Sequence, residues 1–140
     1  MAAASLNGFD IATAAGYTQA FMEHRFPLVL GQDFAGVVEA LGEGAEGFAV
    51  GDAVFGVVMK PFLGAGSLAQ YVAVPAGHGV ARIPAGVTAG VAGALGVAGA
   101  TAVRSLDAVA LAGGRDGADL GGPAGWVRWR CSLPPAAARR

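Results

Sequence analysis

The sequence predicts a mainly β fold, a small β-barrel followed by helices. Short apolar segments bounded by Gly, Pro and Asp succeed one another as far as Ile83, and strands at such spacing are typical of a sandwich or barrel. From Thr88 onward Ala, Leu and Val recur at helical spacing through Val109. The order of the two patterns indicates that the strands come first and the helices follow.

The individual elements follow from local signals. Residues 7–15 are predicted to form one or two helical turns that end at Gly16. An extended segment begins at Phe26-Pro27, because proline biases the residue before it toward the β conformation. Thr88 has the side chain of an N-cap for the first of two helices, and Arg104 and Asp107 lie on the second. The predicted strands are residues 34–41, 53–58, 67–74 and 79–83.

Composition excludes several classes of protein. With 54% apolar and 14% charged residues, the chain of 140 residues is long enough for one domain and too apolar for intrinsic disorder. A net charge of −1 with Lys60 as the single lysine argues against nucleic-acid binding. The single cysteine, Cys131, excludes an intrachain disulfide and a multi-cysteine zinc site. We therefore expect a reducing, cytoplasmic location.

One uncharged stretch, residues 83–103, is long enough to be weighed as a membrane span. It contains five glycines and only one Leu and one Ile, and Ala and Gly contribute little to membrane insertion. We expect a buried helix pair here and no membrane association.

Two glycine-rich segments imitate nucleotide-binding loops. Residues 42–47 match G-x-G-x-x-G, but no helix pattern follows, and Glu43 and Glu46 would repel a phosphate. Residues 64–69 run into a predicted strand. We interpret the first as a turn between strands. His24 and His78 are expected to be surface or turn residues, because a metal site needs three or four convergent ligands.

Four polar residues stand beside apolar segments: Asn7 and Asp10 on one side of a short helix, and Gln32 and Asp33 at the entry to a strand. Polar side chains in such places need hydrogen-bond partners. The residues alone leave open whether these four form a site or a set of satisfied structural groups.

The segment FPLVLGQDFAGVVEALG at residues 26–42 resembles the N-terminal half of the medium-chain dehydrogenase/reductase superfamily, and more narrowly its zinc-independent quinone oxidoreductase branch. The same order of motifs is kept by NGFD at 7–10, GDAVFG at 51–56, GSLAQYVAVP at 66–75, Ile83-Pro84 and GATA at 99–102. The resemblance covers residues 3–110.

The resemblance implies a partial GroES-like barrel over residues 1–87 that acts as the catalytic domain. Residues 88–112 would be connecting helices at the start of a Rossmann domain. It implies NADPH as cofactor, a small-molecule substrate and a homodimer. Zinc-dependent relatives have a cysteine and a histidine ligand at the positions of Asn7 and Gln32. Since zinc prefers thiolate and imidazole, we expect no bound metal.

The implied reaction is hydride transfer from NADPH to a quinone, an activated alkene or a carbonyl. By resemblance, Asn7 would offer an amide hydrogen bond in the cleft as a catalytic and cofactor-contacting residue. Asp10 would brace that turn as the second catalytic residue, and Thr101 would contact the nicotinamide. The alternative is a GroES-like binding module without redox activity, against which the helical run after Thr88 argues.

Two departures from the family pattern lead to further expectations. The chain begins at the match, so the first paired strands of the family are expected to be missing. Residues 113–140 carry five Arg and two Asp, and both tryptophans, without any periodicity. This segment is either a disordered tail or a product of two frameshifts in the coding DNA. Translation in the shifted reading frames gives an apolar pattern typical of a strand that ends at a glycine, followed by a pattern typical of the start of a helix. We expect the Rossmann domain to be absent or garbled and the chain alone to be inactive with NADPH.

Overall fold

The structure, a computed structural model, describes residues 1–108. The predictions for residues 109–140 lie outside the described residues. Met1–Ala100 form one compact unit, and the packing described below is that of this unit. The elements are β1 (Ala3–Ser5), α1 (Gly8–Ala14), β2 (Glu23–Val29), β3 (Asp33–Val37), β4 (Ala53–Val57), β5 (Phe62–Ala65), β6 (Val80–Arg82), α2 (Ala89–Ala92) and α3 (Gly96–Ala108).

The strands form two sheets. Four of them make an antiparallel sheet in the order β1-β3-β4-β6, with Ala35 of β3 opposite Ala3 on one side and Phe55 on the other. The parallel pair β2 and β5 makes the second sheet. Mainly β architecture followed by helices is confirmed, but within residues 1–108 the strands do not close into a barrel.

The core of the compact unit is small, and much of it is polar. The buried apolar side chains are Phe34 and Ala35 of β3, Val54 of β4 and Ala92 of α2. Because β3 is the strand that α2 packs against most, the apolar core lies between the larger sheet and this short helix. Buried polar side chains complete the interior: Asp10, Thr13, Thr18, Asp33 and Ser67.

Most elements predicted from the sequence are confirmed, with shorter bounds. The helix at residues 7–15 is α1, and the strands at 34–41, 53–58 and 79–83 are β3, β4 and β6. The extended segment from Phe26-Pro27 falls inside β2. Residues 42–47 lie in the connection between β3 and β4, as the turn interpretation requires.

The strand predicted at residues 67–74 is wrong, and the strand of this region is β5. The Ser67 N–H donates to the Gly31 carbonyl at 2.9 Å, and the Leu68 N–H donates to the Leu30 carbonyl at 2.9 Å. These bonds hold the backbone after β5 against the end of β2. The apolar residues that suggested a strand do not form a buried face, since Leu68 and Tyr71 are exposed.

The helices begin where the sequence indicated. The Thr88 hydroxyl accepts a hydrogen bond from the Val91 N–H at 3.3 Å, which confirms Thr88 as the N-cap of α2. The expected buried helix pair is only partly buried: Ala92 is enclosed, but Val91 and Leu95 are exposed. No helix in the described part of the chain has the length and apolar character needed to cross a bilayer.

A side-chain cluster fastens the loop before β4 to β6. The Arg82 guanidinium donates from Nε and Nη2 to Asp52 Oδ2 at 3.1 and 2.8 Å, and from Nη2 to the Gly47 carbonyl at 2.8 Å. The Ala49 N–H also donates to Asp52 Oδ2 at 2.8 Å. The Ala49 N–H, and after it the Arg82 guanidinium, hold the pKa of Asp52 below its ordinary value.

This lowered pKa predicts a pH-dependent contribution to stability. Asp52 binds its proton more weakly in the folded than in the unfolded chain, so the ionised carboxylate stabilises the fold. This contribution to the free energy of unfolding is complete above the unfolded pKa near 3.8. It is lost as the pH falls through the folded pKa, which lies below that value. We expect Asp52→Asn to be less stable than the wild type in urea at neutral pH, and the difference to shrink under acid.

The matched control is Glu43→Gln in the same loop, whose carboxylate accepts no side-chain hydrogen bond within the described residues. It should follow the wild-type stability at every pH. The role of the ionised Asp52 carboxylate would be contradicted if the difference in free energy of unfolding between Asp52→Asn and the wild type stayed constant well below pH 3.8.

Candidate functional site

The Asp33 carboxylate is fully buried at the start of β3. Its Oδ2 accepts from the Ser5 hydroxyl at 2.6 Å and from Asn7 Nδ2 at 3.1 Å. Its Oδ1 accepts from the Val97 N–H at 2.7 Å. A buried carboxylate is costly unless its oxygens are hydrogen-bonded. Asp33 therefore ties together β1, the residue before α1 and the first turn of α3.

The start of α3 is shaped to this carboxylate. Val97 lies in the first turn of the helix, where backbone N–H groups have no partner inside the helix and favour a negative charge. A Cβ on Gly96 would overlap Asp33 Oδ1 and the Gly56 carbonyl oxygen. Only glycine lets the helix begin this close to the sheet.

The contact with Asp33 fixes the orientation of the Asn7 amide. An ionised carboxylate only accepts hydrogen bonds, so the amide must turn its NH₂ group toward Asp33. The Asn7 Oδ1 then points away from the carboxylate. The half-buried amide keeps one N–H for another partner, while its oxygen faces the Asp10 backbone N–H as in a capping box at the start of α1.

The Asp10 carboxylate braces the same turn from the other side. Its Oδ2 accepts from the Asn7 backbone N–H at 2.8 Å, and its Oδ1 accepts from the Gly31 N–H at 2.9 Å. Gly31 has φ +96, and a Cβ there would press against Ser67 and Leu68. Asp10 thus joins the start of α1 to the end of β2, with 3% of its surface exposed.

A cavity of about 460 Å³ opens beside Asp10. Its walls are mostly apolar and include Phe9, Met22, Leu30 and Phe62. The polar and charged residues that line it are Asp10, Thr13, Gln32, Lys60 and His78. A concave, mostly apolar site with a few polar groups is the usual form of a small-molecule site. Asp10 connects this cavity to the buried network around Asp33 through Asn7, which donates to both carboxylates.

The structure brings three of the four polar residues singled out in the sequence into direct contact. Asn7 bonds to both Asp10 and Asp33, and Gln32 lines the adjoining cavity. Thr101 is an exposed residue of α3 outside the compact unit. The catalytic roles of Asn7 and Asp10, and the cofactor contacts of Asn7 and Thr101, stay predictions. Within residues 1–108 no group of three or more metal-binding side chains occurs.

His24 differs from the surface or turn residue expected. It is half-buried in β2, and its Nε2 lies 2.9 Å from the Thr18 hydroxyl. The Thr13 hydroxyl donates to the Phe9 carbonyl at 2.8 Å, and the Thr18 hydroxyl donates to Thr13 at 3.3 Å. The Thr18 hydroxyl therefore lies between Thr13 and His24 in a chain of side-chain hydrogen bonds. His78 does lie exposed in a turn.

Sequence reasoning missed three residues of this region. Ser5 donates to Asp33 across the β1–β3 pair, where the two residues lie opposite each other. Lys60 and His78 line the cavity from connections between strands. Only the position of Ser5 two residues before Asn7 in a short strand could have suggested its inward direction. Nothing in the local pattern places Lys60 or His78.

Replacement of Asp33 by asparagine should test the network. Whichever way the new amide points, its NH₂ group faces a donor, either the Val97 N–H or Asn7 Nδ2. We expect Asp33→Asn to lower the free energy of unfolding by about 1–3 kcal/mol in urea denaturation. The exposed control Glu39→Gln should change it by less than about 0.5 kcal/mol. Equal free energies of unfolding for the two variants would show that the hydrogen bonds to Asp33 do not stabilise the fold.

Comparison with known proteins agrees with this architecture. Residues 1–85 match the model of the family described as alcohol dehydrogenase GroES-like domain. A chloroplast envelope quinone oxidoreductase homolog of Arabidopsis thaliana is 38% identical over 104 residues, which are 74% of this chain and 31% of that protein.

Two solved structures are also similar. An alcohol dehydrogenase superfamily protein from Novosphingobium aromaticivorans has a TM-score of 0.65 and 36% identity, covering 81% of this chain and 33% of its own. The quinone oxidoreductase from Coxiella burnetii has a TM-score of 0.63 and 27% identity, covering 81% and 35%. This chain therefore spans about a third of the length of these relatives. It belongs to the alcohol dehydrogenase GroES-like domain family and is a quinone oxidoreductase-like member of the medium-chain dehydrogenase/reductase superfamily.

Proposed function

We propose that the chain forms the substrate side of a zinc-independent, NADPH-dependent reductase of quinones, activated alkenes or carbonyls. The observation that carries the proposal is the cavity beside Asp10, which adjoins the Asn7–Asp10–Asp33 network. Its apolar walls suit a planar, weakly polar ring, and its few polar groups suit the orientation of a carbonyl oxygen.

The network gives the site a fixed shape before any ligand arrives. Asp10 and Asp33 bind Asn7 through its backbone N–H and its side-chain amide, so this residue has little freedom to turn. Preorganised polar groups stabilise a developing charge without a free-energy cost of reorienting during the reaction. In this proposal Asn7, which adjoins the cavity without lining it, offers the free N–H of its amide to a ligand, Asp10 positions the turn, and Thr101 contacts the nicotinamide.

The amide side chains at the positions of the zinc ligands support the zinc-independent assignment. Asn7 already donates to Asp33, and the amides of Asn7 and Gln32 are poor partners for zinc, which prefers thiolate and imidazole. These residues do not fit a zinc ion, and the proposal uses none. Their place in the reaction is the binding and orientation of the substrate.

The described residues also do not fit the phosphate groups of NADPH. The G-x-G-x-x-G segment at residues 42–47 leads into β4 through further coil, and its Glu43 and Glu46 are exposed. A pyrophosphate needs free N–H groups at a helix N-terminus. NADPH, when bound, supplies the hydride, and residues 1–108 supply the substrate contacts. No side chain in the cavity is assigned as the proton donor, and solvent can serve.

Duroquinone is a suitable probe, because its ring is fully substituted and does not alkylate cysteine. We expect the 140-residue chain to bind it saturably with a Kd near or below about 1 mM in ligand-observed NMR. Met59→Trp should abolish this binding, because Met59 is a partly exposed residue that lines the cavity, and the larger ring would fill it. The matched control Val50→Trp places the same ring at an exposed position away from the cavity.

A parallel fluorescence titration with NADPH separates the proposal from its alternatives. For the chain alone we expect a Kd above about 1 mM and no quinone-dependent oxidation of NADPH. Micromolar NADPH binding would contradict the conclusion that the described residues do not fit the phosphate groups of NADPH. Absence of saturable duroquinone binding would overturn the substrate pocket and favour a GroES-like binding module without redox activity.

A further inference from the structure

A second, shallower cavity of about 360 Å³ lies along β2 and the chain that follows β5. It shares five lining residues with the larger cavity, Val29, Lys60, Phe62, Gly64 and Gly66, but is lined by neither Asp10 nor Gln32. We call it the Arg25 groove; the residues that matter for the argument are Arg25, Phe26, Lys60, Phe62, Tyr71 and Val72.

The Arg25 groove carries two cations and is lined by no acidic side chain. The Arg25 guanidinium lies over the Phe62 ring, 3.7 Å from its centroid, and Lys60 Nζ lies 6.0 Å from the same centroid. The two charges therefore lie near one aromatic ring. The combination favours an anion, since a positive charge held on an aromatic face keeps its attraction for a carboxylate.

Both cations retain hydrogen-bonding capacity. Glu23 accepts from Nε and Nη2 of Arg25 at 2.8 and 3.3 Å, which leaves the Nη1 edge of the guanidinium. Lys60 Nζ donates to the Ala65 carbonyl at 3.3 Å, and within residues 1–108 it has no salt bridge to a carboxylate. One unneutralised charge and one free guanidinium edge thus belong to residues that line the same groove.

The groove also exposes aromatic surface. Phe26 is 75% exposed and Tyr71 is 66% exposed, although both line this depression. Large aromatic side chains left uncovered beside charged groups are typical of a binding surface. A ligand that covers them needs a flat apolar body, and the adjacent cations require that it carry a negative group.

We propose that the Arg25 groove binds small planar aromatic carboxylates. The ring of the ligand packs against Phe26 and Tyr71, and its carboxylate lies between Lys60 Nζ and the Nη1 edge of Arg25. This site is separate from the substrate cavity beside Asp10, and its ligand undergoes no chemical change there.

The test uses 1-naphthoate and the isotope-labelled 140-residue chain in NMR titrations. We expect saturable shifts of the Phe26, Phe62 and Tyr71 amides. Arg25→Met and Lys60→Met should each raise the Kd about three- to fivefold, because each removes one partly exposed charge. Arg104→Met, which removes an exposed cation of α3, should leave the Kd unchanged.

Three comparisons define the ligand class. Neutral 1-naphthamide should bind more weakly than naphthoate, inorganic phosphate should not displace it, and duroquinone should not compete with it. Tyr71→Ser tests the aromatic wall independently, should a charge variant fail to fold. The proposal is overturned by shifts that fall away from the groove, by equal binding of the amide, or by phosphate displacing naphthoate.

Discussion

The compact unit depends on the burial of one carboxylate. Asp33 has no exposed surface, and its two oxygens collect donors from Ser5, Asn7 and Val97, which are far apart in the sequence. Only four apolar side chains are buried among the described residues, so apolar packing contributes little to the stability of this unit. Hydrogen bonds to Asp33 therefore decide where β1 pairs and where α3 starts.

The same constraint shapes the candidate site. Asn7 Nδ2 donates to the Asp33 carboxylate, which fixes the orientation of the Asn7 amide, and Asp10 fixes the backbone of that residue. The amides of Asn7 and Gln32 would make a poor zinc site, because zinc prefers thiolate and imidazole ligands. The cavity beside Asp10 and the Arg25 groove share lining residues from the end of β2, from Lys60 before β5 and from β5 itself.

Local pattern was sufficient for much of the fold and for part of the site. The signals for α1, β3, β4 and the Thr88 cap were local, and all four are present. The strand predicted at residues 67–74 is wrong for a tertiary reason. The backbone N–H groups of Ser67 and Leu68 donate to carbonyls just after β2, and no local sequence pattern predicts these hydrogen bonds. The motif at Asn7–Asp10 and the pair Gln32-Asp33 marked the site, whereas the contact of the Val97 N–H with Asp33 joins residues that are 64 positions apart and is seen only in the folded chain.

Hydrogen exchange at the Val97 amide tests the central role of Asp33 most directly. This N–H is in the first turn of α3, where amides without a partner exchange rapidly. If it donates to Asp33 in solution, it should be protected as strongly as the amides of β3 and β4, and Asp33→Asn should remove that protection. Exchange of the Val97 amide at the rate of an exposed helix N-terminus in the wild type would contradict the account.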